Sequence, residues 1–168
     1  AHIFMEKPLS DDMAGVDQLL DAYAERGRVF FVASPLRFDP ALQAMRAAIN
    51  AGEIGKPLSL SAEVGQYLPD WRPQQDYRKG VSARKDLGGG ALLELSHELD
   101  YVRWLMGDVA SVSSKLTKQS NLEIDVEDSA DLILEFTNEV VGTVHLDMVR
   151  QPPARNCVVS GSEGTAEW

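Results

Sequence analysis

Gly88-Gly89-Gly90-Ala91-Leu92-Leu93-Glu94-Leu95-Ser96-His97-Glu98-Leu99-Asp100-Tyr101-Val102-Arg103-Trp104-Leu105-Met106-Gly107 predicts one helix over roughly residues 90–106, opened by glycine and closed by Gly107. Leu92, Leu95, Leu99, Val102 and Met106 form an apolar stripe at helical spacing. His97 lies almost opposite that stripe, where a solvated face should be polar. Its neighbours at helical spacing are instead Leu93, Tyr101 and Trp104, with Glu94 and Asp100 three residues away on either side. The helix is therefore expected to pack on two sides and to carry a titratable cluster on the second. Histidine accepts a proton near neutral pH, and a neighbouring carboxylate fixes its tautomer. The alternative is a core or capping histidine satisfied by Glu94. Gly88-Gly89-Gly90 either lets the backbone approach something closely or frees the start of the helix. It is not a phosphate cradle, because neither G-x-G-x-x-G nor G-x-x-x-x-G-K-[ST] occurs. Glu94, His97 and Asp100 match no metal-site spacing, so no metal is expected. Ser96 and His97, adjacent on a helix, do not face each other, which argues against a hydrolase triad.

Upstream, Ile3-Phe4-Met5 is predicted to be a buried strand, Ser10 to cap a helix carrying Met13, Val16, Leu20 and Tyr23 on one face, and Gly27 to end it. Val29 to Ala33 is a second strand. Asp39-Pro40 caps a further helix with Leu42, Met45 and Ile49, ended by Gly52. Strand–helix–strand–helix with near-continuous apolar strands predicts a parallel α/β layer. Lys7, between Glu6 and Pro8, closes the first strand at its carboxyl end, where open α/β sheets bind ligands. An ordinary exposed lysine is the alternative. Downstream, Leu58, Leu60, Ala62 and Val64 alternate with polar residues as a half-buried strand. Asp131 to Phe136 and Val140 to Val149 flank Asn138-Glu139 as a hairpin, and Arg155 to Ser160 precedes a further turn at Gly161 to Gly164. His145 shares a strand face with Thr143 and Asp147. The boundary between the α/β part (1–55) and the α+β part (56–168) is placed near Gly55.

The chain has 168 residues and a net charge of −10, a poor match for nucleic acid or anionic lipid, whose affinity comes from neutralised phosphates. No apolar run is long enough for a membrane span. The single Cys157 forms no internal disulfide, so a reducing, cytoplasmic location is expected. Residues 66–87 hold five basic and three acidic side chains, a net +2 against −12 for the remainder. Such a loop suits a small anionic ligand, or is simply solvated.

Together these segments resemble the Gfo/Idh/MocA family of NAD(P)-dependent oxidoreductases. The resemblance is carried by Glu6-Lys7-Pro8-Leu9-Ser10, Leu36-Arg37-Phe38-Asp39-Pro40, Gly52-Glu53-Ile54-Gly55-Lys56-Pro57, the run quoted above and Gly161-Ser162-Glu163-Gly164-Thr165-Ala166-Glu167-Trp168. It covers nearly the whole chain. It implies a partial Rossmann-like parallel layer followed by a C-terminal domain with a large open, mainly antiparallel sheet. It implies NAD or NADP as cofactor and a sugar or sugar nucleotide as substrate, with Lys7 and His97 catalytic. Glu6, Lys7, Pro8 and Arg37 would lie near the cofactor; Tyr67, Trp71, Arg72, Tyr77, Glu94 and His97 would contact substrate. The family commonly spaces an acidic residue four before the histidine, whereas Glu94 stands three before His97. The resemblance also implies a longer protein, with the glycine fingerprint upstream, that self-associates as a homo-oligomer through its open sheet. A sugar-sensing or oligomerisation module without catalysis is the competing expectation.

Overall fold

The computed structural model describes residues 1–168 and divides their strands between two sheets. β1 (Ile3–Met5) and β2 (Phe30–Val32) pair in parallel, with Ile3 opposite Phe30 and Met5 opposite Val32; α1 (Val16–Glu25) lies between them in the chain. Two details depart from expectation. α1 starts behind Gly15, which takes a left-handed conformation, and not after Ser10. Ser10 and Asp12 instead accept backbone N–H groups from Asp12 and Ala14 in the preceding turn, the local bonding by which short polar side chains compete with a helix. Nor is the strand pair buried: Phe4 is 73% and Phe31 41% exposed, their rings stacked 5.4 Å apart. Two strands with a helix on one side leave their other face uncovered.

α2 (Pro40–Ala51) forms as its local signals require. The Asp39 carboxylate accepts from the N–H groups of Ala41 (2.9 Å) and Leu42 (3.0 Å), proline takes the first position, and Gly52 ends the helix at φ 77°. Leu42, Met45 and Ile49 are buried together with the core of the larger sheet. Asp39→Ala orphans two helix N–H groups and should destabilise the chain by about 1 kcal/mol, measured by urea unfolding.

The larger sheet contains β3 (Pro57–Gly65), β4 (Val109–Thr117), β5 (Ser129–Phe136), β6 (Val141–Asp147), β7 (Ala154–Gly161) and β8 (Thr165–Glu167) in the order β4-β5-β6-β3-β7-β8. Only β3 and β6 run parallel. The β5–β6 hairpin turns at Asn138-Glu139, where Glu139 adopts φ 70°. Side chains alternate along the middle of β3, β5, β6 and β7. Leu60, Ala62, Val64, Leu132, Leu134, Phe136, Val144, Leu146, Cys157 and Val159 are buried on one face under the helices and the loop of residues 66–90. The other face presents Ser59, Ser61, Ile133, Thr143 and Val158 and carries no covering layer. The sheet is thus open and mainly antiparallel.

The helix expected over residues 90–106 is two helices, α3 (Ala91–Glu94) and α4 (His97–Met106), broken at Leu95-Ser96. The inward side of α4 is Glu98, Tyr101, Val102, Leu105 and Met106. Leu95, Val102 and Met106 of the expected stripe are buried, whereas Leu92 and Leu99 are only partly so.

Candidate active site

The break creates the site. In an unbroken helix the carbonyls of Leu93 and Glu94 would accept from N–H groups four residues on. Here they are free of that duty. Ser96 Oγ donates to the Leu93 carbonyl at 2.8 Å, and the Lys7 ammonium donates to the Leu93 carbonyl at 3.4 Å and, more closely, to that of Glu94. A cation at a helix C-terminus also meets the negative end of the peptide dipoles. The tip of β1 is thereby docked onto the start of α4, whose first residue is His97. The Lys7–Pro8 peptide is cis.

Lys7 and His97 line one cleft of about 570 Å³, with Asp100 on its rim and Phe31, Val32 and Phe38 among its apolar walls. Arg37 reaches Asp100 with two parallel bonds, Nε to Oδ2 at 2.8 Å and a terminal nitrogen to Oδ1 at 2.6 Å. This bidentate geometry fixes both planes and raises the Arg37 pKa above its ordinary value. Burial pushes His97 below the usual imidazole pKa; the charges of Lys7 and Arg155 push the same way, and Asp100 and Glu6 oppose them. The ring is therefore neutral at pH 7 and free to accept a proton. Burial also lowers Lys7, against the raising influence of Glu94, Glu98 and Glu6, while Arg155 adds to the lowering.

The remaining candidates divide. Pro8 and Arg37 line the same cleft; Glu6 is exposed and does not. Glu94 is bound through Oε2 to the Ser82 hydroxyl at 2.6 Å, so its carboxylate does not orient His97. None of Tyr67, Trp71, Arg72 and Tyr77 lines the cleft. The Trp71 indole donates to the Gln66 carbonyl at 3.0 Å, and the Tyr77 hydroxyl accepts from the Glu123 N–H at 3.2 Å. Two of the five basic side chains of the positive loop are paired at home: Arg78 with Asp76 and Glu123, and Arg84 with Asp86. Gly89 and Gly90 serve packing. A Cβ on Gly89 would stand 2.1 Å from the Val81 carbonyl oxygen, and one on Gly90 would stand 2.3 Å from the Glu127 carboxylate, at φ 111°. Gly89→Ala should cost about 1–3 kcal/mol through overpacking, seen as a lowered Tm. Sequence reasoning missed Glu98, which is fully buried on α4, and Arg155 of β7, which lies 2.7 Å from it. A charge at the head of an apolar stripe looks like its polar edge unless the partner strand is known.

The cleft fits the flat ring of a nicotinamide: apolar side chains wall it and two proton-handling groups face it. For the pyrophosphate the chain has no glycine-rich strand–helix turn, so residues for that part of a dinucleotide are not among these 168.

Residues 42–167 match the family model of the GFO/IDH/MocA C-terminal domain. The chain is 28% identical to myo-inositol 2-dehydrogenase of Thermotoga maritima over 148 residues, which are 85% of this chain and 41% of that protein. Levoglucosan dehydrogenase of Pseudarthrobacter phenanthrenivorans is 27% identical across 98% of this chain and 48% of its own length. The chain thus spans about half the length of these curated relatives. Among solved structures, levoglucosan dehydrogenase in complex with NADH superposes with a TM-score of 0.86 at 24% identity, covering 99% of this chain and 47% of that one. WlbA dehydrogenase of Bordetella pertussis, in complex with NADH and UDP-GlcNAcA, superposes at 0.85 and 24%, covering 99% and 48%. No helix is long and apolar enough to cross a membrane. By its matching domain and its open antiparallel sheet, the chain belongs to the GFO/IDH/MocA family.

Proposed function

We propose that this chain is part of a nicotinamide-dependent oxidoreductase that moves a hydride between the cofactor and a carbinol carbon of a sugar, sugar nucleotide or related polyol. The observation that carries the proposal is the convergence of Lys7 and His97 on one cleft with apolar walls. The names of the relatives, dehydrogenases of inositol and levoglucosan, agree with it. In this reading residues 1–55 close the dinucleotide-binding domain and residues 56–168 form the substrate domain, in a cytoplasmic homo-oligomer that covers the open sheet face. Arg37, clamped on Asp100, borders the cofactor side.

The nicotinamide, when bound, supplies or accepts the hydride. The chain's own residues handle the proton. The Lys7 ammonium donates a hydrogen bond to the carbinol oxygen and stabilises the negative charge that develops there as the C–H bond weakens. Neutral His97 takes the hydroxyl proton, and Asp100 stabilises the imidazolium that results. In reduction the same groups run in reverse, His97 giving the proton back.

The directions of the two shifts predict the pH dependence of oxidation. His97 must be unprotonated, and its pKa is lowered, so kcat/KM rises with pH through a midpoint below the ordinary 6.5. Lys7 must be protonated, and its pKa is also lowered, so activity falls again at a midpoint below 10.5. The experiment is a pH profile of NAD⁺ reduction by the full protein with a panel of polyols and sugars, followed at the NADH absorbance. A bell with both limbs displaced downward supports the proposal. No turnover on any polyol or sugar, with sugar binding retained, favours a sensor and overturns it.

A further inference from the structure

Behind the cleft lies a charge the proposed chemistry does not use. Glu98 follows His97 on α4, about 100° further round the helix, and points into the layer between α4 and the sheet, where it is fully buried. A carboxylate withdrawn from water requires a counter-charge. Arg155 supplies it: Nε lies 2.7 Å from Oε1, and a terminal nitrogen donates to Oε2 at 3.4 Å. Alternation along β7 sets Arg155 on the helix-covered face with Cys157 and Val159. Those two are buried, whereas the Arg155 side chain keeps 34% of its surface exposed. Despite the short approach, Oε1 of Glu98 has no aligned hydrogen bond, and the Tyr101 hydroxyl nearby has no partner either. A buried ion pair of this kind adds little net stability compared with an apolar pair of the same volume.

We infer that Glu98 and Arg155 are positioning residues, a balanced ion pair that ties the His97 helix to β7 and sets the electrostatic background in which Lys7 and His97 work. The inference takes its meaning from the Lys7–His97 reading, but its test does not depend on turnover. The charges that act most strongly on each group are few. Lys7 feels Glu94, Glu98, Glu6 and Arg155; His97 feels Lys7, Arg155, Asp100 and Glu6; Glu98 feels Arg155 and Lys7. Cys157 and Tyr101 beside the pair contribute no charge: burial pushes the thiol up to about 12 and the phenol further up. Glu98 therefore more than offsets the effect of Arg155 on Lys7. Neither residue touches the cleft, and both act through the groups that do.

The test is an NMR titration of this 168-residue chain, with ¹³C-labelled lysine and histidine side chains, read at Lys7 and His97. Glu98→Gln should lower the Lys7 midpoint. Arg155→Met should raise the midpoints of both Lys7 and His97. Glu98→Gln/Arg155→Met should bring Lys7 back part of the way from the Glu98→Gln midpoint towards the wild-type one, and Arg155→Lys, which keeps the charge, should leave Lys7 at its wild-type midpoint. If Arg155→Met alone fails to fold, the other three variants decide. Midpoints that stay fixed in all variants, or that move the same way in Glu98→Gln and Arg155→Met as general loosening would cause, overturn the inference. That outcome leaves the dehydrogenase proposal untouched, whereas an inactive full protein with the shifts intact overturns the proposal alone.

Discussion

Replacing Lys7 by Met, or His97 by Asn, in the full protein should lower kcat by about 10²–10⁴-fold, the contribution of a positioned proton-transfer group. The two losses should not add. In the proposed chemistry the residues serve one oxygen atom, and once either is gone the other stabilises little, so the double variant should be hardly slower than the slower single one. KM for the cofactor should move little, because neither side chain is proposed to hold the pyrophosphate. Lys7 also binds the end of α3, so a structural loss must be separated from a chemical one. Lys7→Arg does this: it keeps a cation for the carbonyls but offers a planar fork in place of a compact ammonium. It should stay folded by circular dichroism and still be slow. Steady-state rates for these four variants, beside thermal unfolding, make the measurement.

The second large effect concerns stability and lies far from the cleft. Asp128 is 1% exposed. Its carboxylate accepts from the N–H of Gln119 at 3.0 Å, from the N–H of Ser120 at 2.9 Å and from the Ser120 hydroxyl at 2.6 Å. Burial pushes its pKa up, but these bonds from Ser120 and Gln119 outweigh burial and hold it below the ordinary value. Asp128→Ala strands several donors at the mouth of β5 and should cost on the order of 3 kcal/mol, a fall in Tm of about 10 °C for a domain of this size. The sign with pH follows from the lowered pKa. The contribution is complete above the unfolded value of 3.8 and is lost as pH falls through the folded one. The gap in Tm between wild type and Asp128→Asn should therefore be full at pH 6 and narrow in strong acid.

What was legible in the sequence was what short-range chemistry decides. Asp39-Pro40 and Gly52 bracket α2 because caps act within four residues. The Asn138-Glu139 hairpin and the alternation of β3 follow from a period of two. The break at Leu95-Ser96 was not legible, since part of what satisfies its freed carbonyls is an ammonium 86 and 87 residues away. Nor was Glu98: its partner is 57 residues distant, and only the sheet brings them together. The true inward side of α4 has helical spacing, but with a glutamate at its head the neighbouring set of leucines looked like the better stripe. His97 was visible as chemistry on the wrong side for a bland role, and Lys7 by its place at a strand tip and by the family resemblance, whereas their sharing of one cleft depends on the same unforeseen break. Phe4 and Phe31 read as core because apolar strands usually are; here one face of a two-stranded pair stands open.

The most direct measurement is a crystal structure of the full protein with NAD⁺ and a slowly oxidised sugar or polyol. The account predicts the carbinol oxygen within hydrogen-bond distance of both Lys7 Nζ and the His97 ring, with the nicotinamide against the wall of Phe31 and Val32. A substrate seated elsewhere, with Lys7 still on the Leu93 and Glu94 carbonyls and no bond to the sugar, would contradict it.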